Sequence, residues 1–149
     1  MNAQARSQRS SLFVQAIIAG IIGAVIVDAF LSIELHVSLA VLEGNNAALV
    51  AAPGASPVLG VIAHFMIAIV WATIYAYAFN AIGKLENWIL GTIVLGLAVD
   101  AVMNLLITMK TGAPWDSGFV KDLLPNVVFY ALPVALYLTR RPPHRSRLK

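Results

Sequence analysis

WILGTIVLGLAVDAVMNLLITM, residues 88–109, is the stretch whose reading decides the fold. A helix that crosses a bilayer needs ~20 mostly apolar residues, and this run supplies them. It also carries Asp100 near its middle and Asn104 one turn later. An ionised carboxylate at the centre of a bilayer costs ~2.5–3.5 kcal/mol even on insertion scales, so Asp100 must face protein or water rather than lipid. Thr92, Gly96, Asp100 and Asn104 recur at intervals of four, which aligns them along one helix face. The helix thus has one small, polar side. The rest of the chain is the material that has to cover it.

Working outward, residues 12–33 form a first apolar run, with Ala16, Gly20, Ala24 and Asp28 again four apart. Small residues at this spacing let helix backbones approach closely, which puts Asp28 on a packing face. A cleaved signal peptide would also place basic residues before an apolar run. This run, however, exceeds the usual ~7–15-residue core of such peptides, and no small-x-small site follows closely. Residues 58–80 form the next run, with Gly60, His64, Ala68, Ala72 and Ala76 on one ridge and Trp71, Tyr75 and Tyr77 as aromatic bulk. Residues 119–139 form the last, with Asn126, Pro125 and Pro133. Each proline removes a backbone donor, so kinks are expected there. The longest connection is 34–57. Its start, ELHVSLAVLE (34–43), can continue the first helix or lie at the interface. Gly44, Asn45 and Asn46 break it, and Pro57 suits the first turn of a new helix. Short turns over 81–87 and 110–118 join the other runs. The ends, 1–11 and 140–149, are polar tails expected to be loose.

Composition agrees. The 149-residue chain is 60% hydrophobic and 11% charged, against ~45–50% and ~25% in soluble domains. Its mean hydropathy is +0.83. The absence of cysteine excludes disulfides, thiol catalysis and thiolate metal sites. The net charge of +3 invites a nucleic-acid reading, but the basic residues flank the apolar runs, where they set topology and meet lipid headgroups. With both termini cytoplasmic, Arg6, Arg9, Lys84, Arg140, Arg141, Arg145, Arg147 and Lys149 lie inside and only Lys110 and Lys121 outside. That is the arrangement the positive-inside rule favours. The expected fold is a single all-α domain over 1–149. It is an integral membrane bundle of four transmembrane helices (12–33, 58–80, 88–109, 119–139), N-in and C-in, with 1–11 and 140–149 as cytoplasmic tails.

A rise of ~1.5 Å per residue converts the boundaries into depths. Asp28, His64, Asp100, Asn104 and Asn126 come out ~6, ~9, ~12, ~6 and ~10 Å below the outer edge of a ~30 Å core. Each helix therefore brings a polar group to the outer half. The inner half offers little except Gln15 and Asn80, near its edge. The candidate site is this layer: Asp28 and Asp100 as carboxylates, His64 as their titrating partner, Asn104 and Asn126 as hydrogen-bonding groups. Gly20, Ala24, Gly60 and Gly96 are the expected helix-packing positions. Two carboxylates in low dielectric call for a shared proton or an imidazolium partner, which suits proton-coupled transport or a small cation. The structural alternative is a set of interhelical hydrogen bonds, each worth ~0.6–2 kcal/mol, that lock the helices together. AVIVDAFLS (24–32) also resembles GLAVDAVMN (96–104), and His64 and Tyr75 fall in register with Asn126 and Tyr137. This suggests a duplicated two-helix unit. No HxxxH or ExxH pair supports a metal site. No cofactor is implied: His36 belongs at the outer interface and is mismatched in depth with His64 for haem ligation. No motif surrounds Ser32, Ser38 or Ser117 as a nucleophile, so no enzyme is expected.

GIIGAVIVDAFLSI (20–33) followed by HFMIAIVWATIYAYAF (64–79) resembles the YagU-like small bacterial inner-membrane proteins of unknown function. The resemblance covers mainly the first two runs and rests on glycine, histidine and aromatics in apolar helices. It implies a multi-pass protein of the bacterial inner membrane, linked to acid tolerance, and carries over no catalytic residue. The expected function is a small transporter or channel component handling protons or a cation at the Asp28–His64–Asp100 layer. The alternative is a structural or accessory subunit whose polar layer fixes packing or binds a partner. Four short helices make a thin wall for a conduit, so a homo-oligomer or a membrane partner subunit is expected. The surroundings are the lipid bilayer, and no nucleic acid is bound.

Overall fold

The computed structural model of the chain describes residues 3–34, 36, 38–39, 56–112 and 123–140. Among them the regular structure is entirely helical: α1 (Ala3–Glu34), α2 (Pro57–Ala81), α3 (Trp88–Thr111), a π-helical segment (Pro125–Ala131) and α4 (Leu132–Arg140), which continues it. The three long helices are each long and apolar enough to cross a membrane. The chain is an all-α protein with the helices of a membrane protein.

Helix boundaries follow local chemistry. α1 begins at Ala3 rather than at the first apolar residue. Ala, Gln and Arg are good helix formers, and residues 3–11 run into the apolar stretch with no proline or glycine between. The loose tail expected over 1–11 is therefore helical from Ala3. α1 stops at Glu34, and of ELHVSLAVLE beyond it only His36, Ser38 and Leu39 are among the described residues. His36 sits in a turn with φ 53°, its Nδ1 3.1 Å from the Glu34 carbonyl oxygen. The rest of that connection, 40–55, lies outside the described residues, as do 113–122 and the tail 141–149 with His144. At the start of α2 the Ser56 hydroxyl accepts from the Val58 N–H at 3.3 Å, and Pro57 occupies the first turn. Asn87 caps α3 in the same way, through the Leu90 N–H at 3.1 Å. Gly112, with φ 69°, ends α3 and donates its N–H to the Thr108 carbonyl, a left-handed cap that glycine adopts without steric cost.

The last apolar run departs from a kinked α-helix. From Pro125 to Ala131 it winds as a π-helix, and the Leu132 N–H reaches back five residues to the Val127 carbonyl. The wider turn relieves the clash that the Pro133 ring would make with the carbonyl one turn earlier. Pro125 opens the π-helical segment directly after Leu123 and Leu124, which are already helical.

Each long helix buries a stripe of mostly small residues. α1 turns Leu12, Ala16, Ala19, Gly20, Gly23, Ala24, Val27 and Asp28 inward, and α3 turns Gly91, Thr92, Leu95, Gly96, Val99 and Asp100 inward. α2 buries Gly60, Ala68, Ala72, Tyr75, Ala76 and Phe79. The spacing alternates three and four, as 3.6 residues per turn require. All four expected packing positions, Gly20, Ala24, Gly60 and Gly96, are buried. The opposite faces show large apolar side chains such as Val25, Met66, Val70, Ile93 and Leu106. Water-soluble monomers rarely carry such a surface; lipid accommodates it.

α1 holds the assembly together. It packs against α2 and also against the π segment and α4. α3 packs against the π segment and α4, whereas α2 and α3 make few contacts despite their short connection. At Gly20 an added Cβ would stand 2.7 Å from the Ile69 Cα, so α1 and α2 meet backbone to backbone; at Gly96 it would stand 2.8 Å from the Val127 Cα. Thr139 Oγ1 lies 2.8 Å from the Ala135 carbonyl oxygen, one turn back, and 3.2 Å from that of Leu85, which places the end of α4 beside the turn between α2 and α3.

Candidate functional site

Asp28 lies on the buried stripe of α1 near its end, and His64 two turns into α2. The two helices run antiparallel, so these positions meet at one level. Asp28 Oδ1 is 3.1 Å from His64 Nε2, with Asp28 only 6% exposed. Asp100 is 0% exposed. Its Oδ1 accepts a hydrogen bond from Asn126 Nδ2 at 3.1 Å. The estimated depths agree with this pairing, at ~6 against ~9 Å for the first pair and ~12 against ~10 Å for the second. The Asp28–His64 contact is an ion pair only when the imidazole carries a proton, whereas the Asp100–Asn126 contact is a hydrogen bond from a neutral amide.

Asn104 does not join these pairs. Its Nδ2 donates to the backbone carbonyl of Asp100, one turn back, at 2.9 Å. That bond is local to α3 and is one any short polar side chain can make at this spacing. Each carboxylate has a side-chain partner on the next helical element in the chain, Asp28 on α2 and Asp100 on the π segment. A cavity of about 80 Å³ lies between the pairs, lined by Val27 of α1, His64, Ile67, Ala68 and Trp71 of α2, Val99 and Met103 of α3, and Asn126 and Tyr130 of the π segment. A second, larger space of about 300 Å³ opens between α1 and α2, lined by Val25, Asp28, Ala29, Ser32, Leu39, Val61 and Phe65. The polar groups therefore follow one another in space: groove, Asp28, His64, cavity, Asn126, Asp100.

Other residues that hold this site are not apparent from the pattern of the helices. Tyr130 passes through a notch at Gly23, where a Cβ would lie 2.7 Å from its ring, and donates its hydroxyl to the Ala68 carbonyl at 2.6 Å. Phe129 stacks on Phe30 with ring centroids 3.7 Å apart. The Ser32 hydroxyl is buried without a hydrogen-bond partner among the described residues. A tyrosine in an apolar run carries no signal of the carbonyl it will find on a distant helix. Gly23, three residues from Gly20, was the one available hint of a notch.

The duplicated-unit expectation aligns Asp28 with Asp100 and His64 with Asn126, and the two observed pairs join those aligned positions. The likeness stops at that point. α1 packs along the last helical stretch, while the corresponding pair, α2 and α3, barely touches. Among the described residues no three His, Cys, Asp or Glu side chains come together as a metal site. His36 is exposed and lines neither cavity. Compared with known protein families, curated proteins and solved structures, the chain matches none.

Proposed function

We propose that this chain is a small multi-pass protein of a bacterial inner membrane that handles protons, as a component of a proton- or cation-coupled transporter or channel. In this reading the chain spans the bilayer four times, N-in and C-in, with the π segment and α4 in the fourth crossing. The position of the Asp28–His64 pair carries the reading: its carboxylate lines the groove and its imidazole lines the inner cavity. Imidazole can take a proton on one ring nitrogen and release it from the other, and its ordinary pKa of ~6.5 puts this exchange in the working range. The groups facing His64 are Asp28 from α1 and, across the cavity, Asn126 and Tyr130 from the π segment; α3 presents Val99 and Met103 there, with Asp100 one hydrogen bond further on. A cavity of about 80 Å³ has the volume for one or two waters between His64 and Asn126. The basic residues favour this topology, and the Thr139–Leu85 contact agrees with it by bringing the α4 end to the side of the α2–α3 turn. The few contacts between α2 and α3 leave an edge that a second copy or a partner subunit would close.

The accessory-subunit reading is favoured by one observation: most of the cavity wall is apolar. Proton uptake into vesicles containing the purified chain separates the two. Uptake should change between about pH 5 and 8, where histidine titrates. His64→Gln keeps a hydrogen-bonding group but removes titration and should flatten the response, while His144→Gln should leave it intact. A full pH response in His64→Gln would make the histidine a packing residue and leave the structural reading.

A further inference from the structure

α1 and α2 meet backbone to backbone at Gly20 and Ile69 and leave a groove beyond that contact, toward the end of α1. Val25, Ala29, Leu39, Val61 and Phe65 wall about 300 Å³ there. Asp28 and Ser32 border the groove as well, but the Asp28 Oδ1 and Ser32 hydroxyl oxygens are buried, so the surface it offers is apolar. Val25, Leu39 and Val61 are also exposed, which makes the groove continuous with the apolar outer faces of the two helices. Water leaves such apolar spaces dry, because it needs polar partners. A helix of a second copy is too wide for it, at ~10–12 Å with its side chains. An empty slot forfeits dispersion contacts along its whole lining. A hydrocarbon chain needs no polar partner and is thin. From Val25 to Ser32 the groove runs ~10 Å along the helix axis at ~1.5 Å per residue, within the ~15 Å of one half of a ~30 Å hydrocarbon core. Membrane helices stand on average within ~20° of the bilayer normal, so a groove along them also lies along the lipid chains.

From this we infer that the groove seats one acyl chain of a membrane phospholipid. The chain lies over Ala29, whose small side chain keeps the floor open, between Val25 on one side and Val61 and Phe65 on the other. It enters beyond the end of α1, where Leu39 stands, and stops at the Gly20–Ile69 contact. While seated, it covers the groove side of Asp28 with hydrocarbon. The seat is a property of the apolar walls and stands whether or not the Asp28–His64 pair carries protons.

The test is photo-crosslinking of the full-length chain in vesicles of phosphatidylethanolamine and phosphatidylglycerol, doped with a phosphatidylethanolamine that carries a diazirine in the glycerol-proximal half of one acyl chain. Adducts mapped by peptide mass should concentrate on Val25, Ala29, Val61 and Phe65 rather than on Val70, Ile93 or Leu106 of the outer faces. Ala29 is exposed, so Ala29→Phe fills the groove without entering the core, and the groove adducts should be lost. Met66→Phe, on the outer face of α2, should leave them unchanged. If Ala29→Phe does not fold, Val61→Trp supplies a second block from the other wall. Native mass spectrometry of the chain released from the same vesicles should show one retained phospholipid, absent from the blocked variant. Adducts spread evenly over the outer faces, or groove adducts that persist in the blocked variants, overturn the proposal. So does a groove closed to lipid by a second copy or by the chain's own residues 40–55, which gives adducts on the outer faces alone. A retained free fatty acid in place of the phospholipid overturns the assignment of the source.

Discussion

Gly20 has no room for a methyl group. A Cβ there would sit 2.7 Å from the Ile69 Cα and 2.9 Å from the Ala68 carbonyl oxygen, and backbone atoms cannot rotate aside. Gly20→Ala must push α1 and α2 apart two turns from the Asp28–His64 pair. Overpacking of this kind costs about 1–3 kcal/mol. We expect a lower melting temperature in detergent and a weaker pH response. Gly23→Ala meets side chains instead, the Tyr130 ring at 2.7 Å and Val134 Cγ2 at 2.9 Å, which can yield by small torsions, so its loss should be smaller. A Gly20→Ala protein that melts with the wild type would show that the backbone contact contributes nothing. The same logic explains why Asn104 matters less than its neighbours. Its hydrogen bond closes within α3, so Asn104→Ala leaves both interhelical pairs intact.

At the scale of elements, the π segment is the part that sets the site. It delivers Asn126 to Asp100, Phe129 to Phe30 and Tyr130 to the Ala68 carbonyl. A π turn differs from an α turn by one residue, so deleting Val128 should restore α winding. That deletion would rotate Asn126 by about 100° relative to α4 and take it off Asp100. We expect it to lower the melting temperature by at least as much as Asn126→Ala, since it displaces the pair and also disturbs the stacked Phe129. A deletion variant as stable as the wild type would mean that the wide turn is dispensable.

The whole molecule is organised around α1, with α2 and α3 closed on each other only weakly. Its two polar pairs sit toward one end, and the contact between Thr139 and Leu85 sits toward the other. The chain has no cysteine, so introduced pairs report geometry without background. Leu85→Cys combined with Thr139→Cys should cross-link on oxidation in native membranes, because the Thr139 hydroxyl is 3.2 Å from the Leu85 carbonyl. Leu85→Cys with Ser32→Cys should not, since Leu85 lies in the turn after α2 and Ser32 near the end of α1, at opposite ends of this antiparallel helix pair. A reporter fused after Lys149 should read cytoplasmic and one inserted near Asn46 external. Opposite readings would reverse the topology and with it the side from which the groove is entered.

Much of this was written along the chain because it depends on one helix at a time. Length and apolarity mark three membrane-length helices, and the three-four spacing of small residues marks their inner faces. The cost of a carboxylate in lipid places Asp28 and Asp100 inward. Asn87 and Ser56 cap helices within their own few residues. The pairing was decided only in three dimensions. Sequence placed His64 equally near either aspartate, and it is the seating of Gly20 on Ile69 that brings it to Asp28. The seating of Gly96 on Val127 likewise leaves Asp100 for Asn126. The π winding, the split into a groove and a cavity, and the return of Asn104 to its own helix have the same origin. The rotation of each helix about its axis, and which neighbour it meets, depend on how notches and side chains from distant runs fit together, and no single run contains that information.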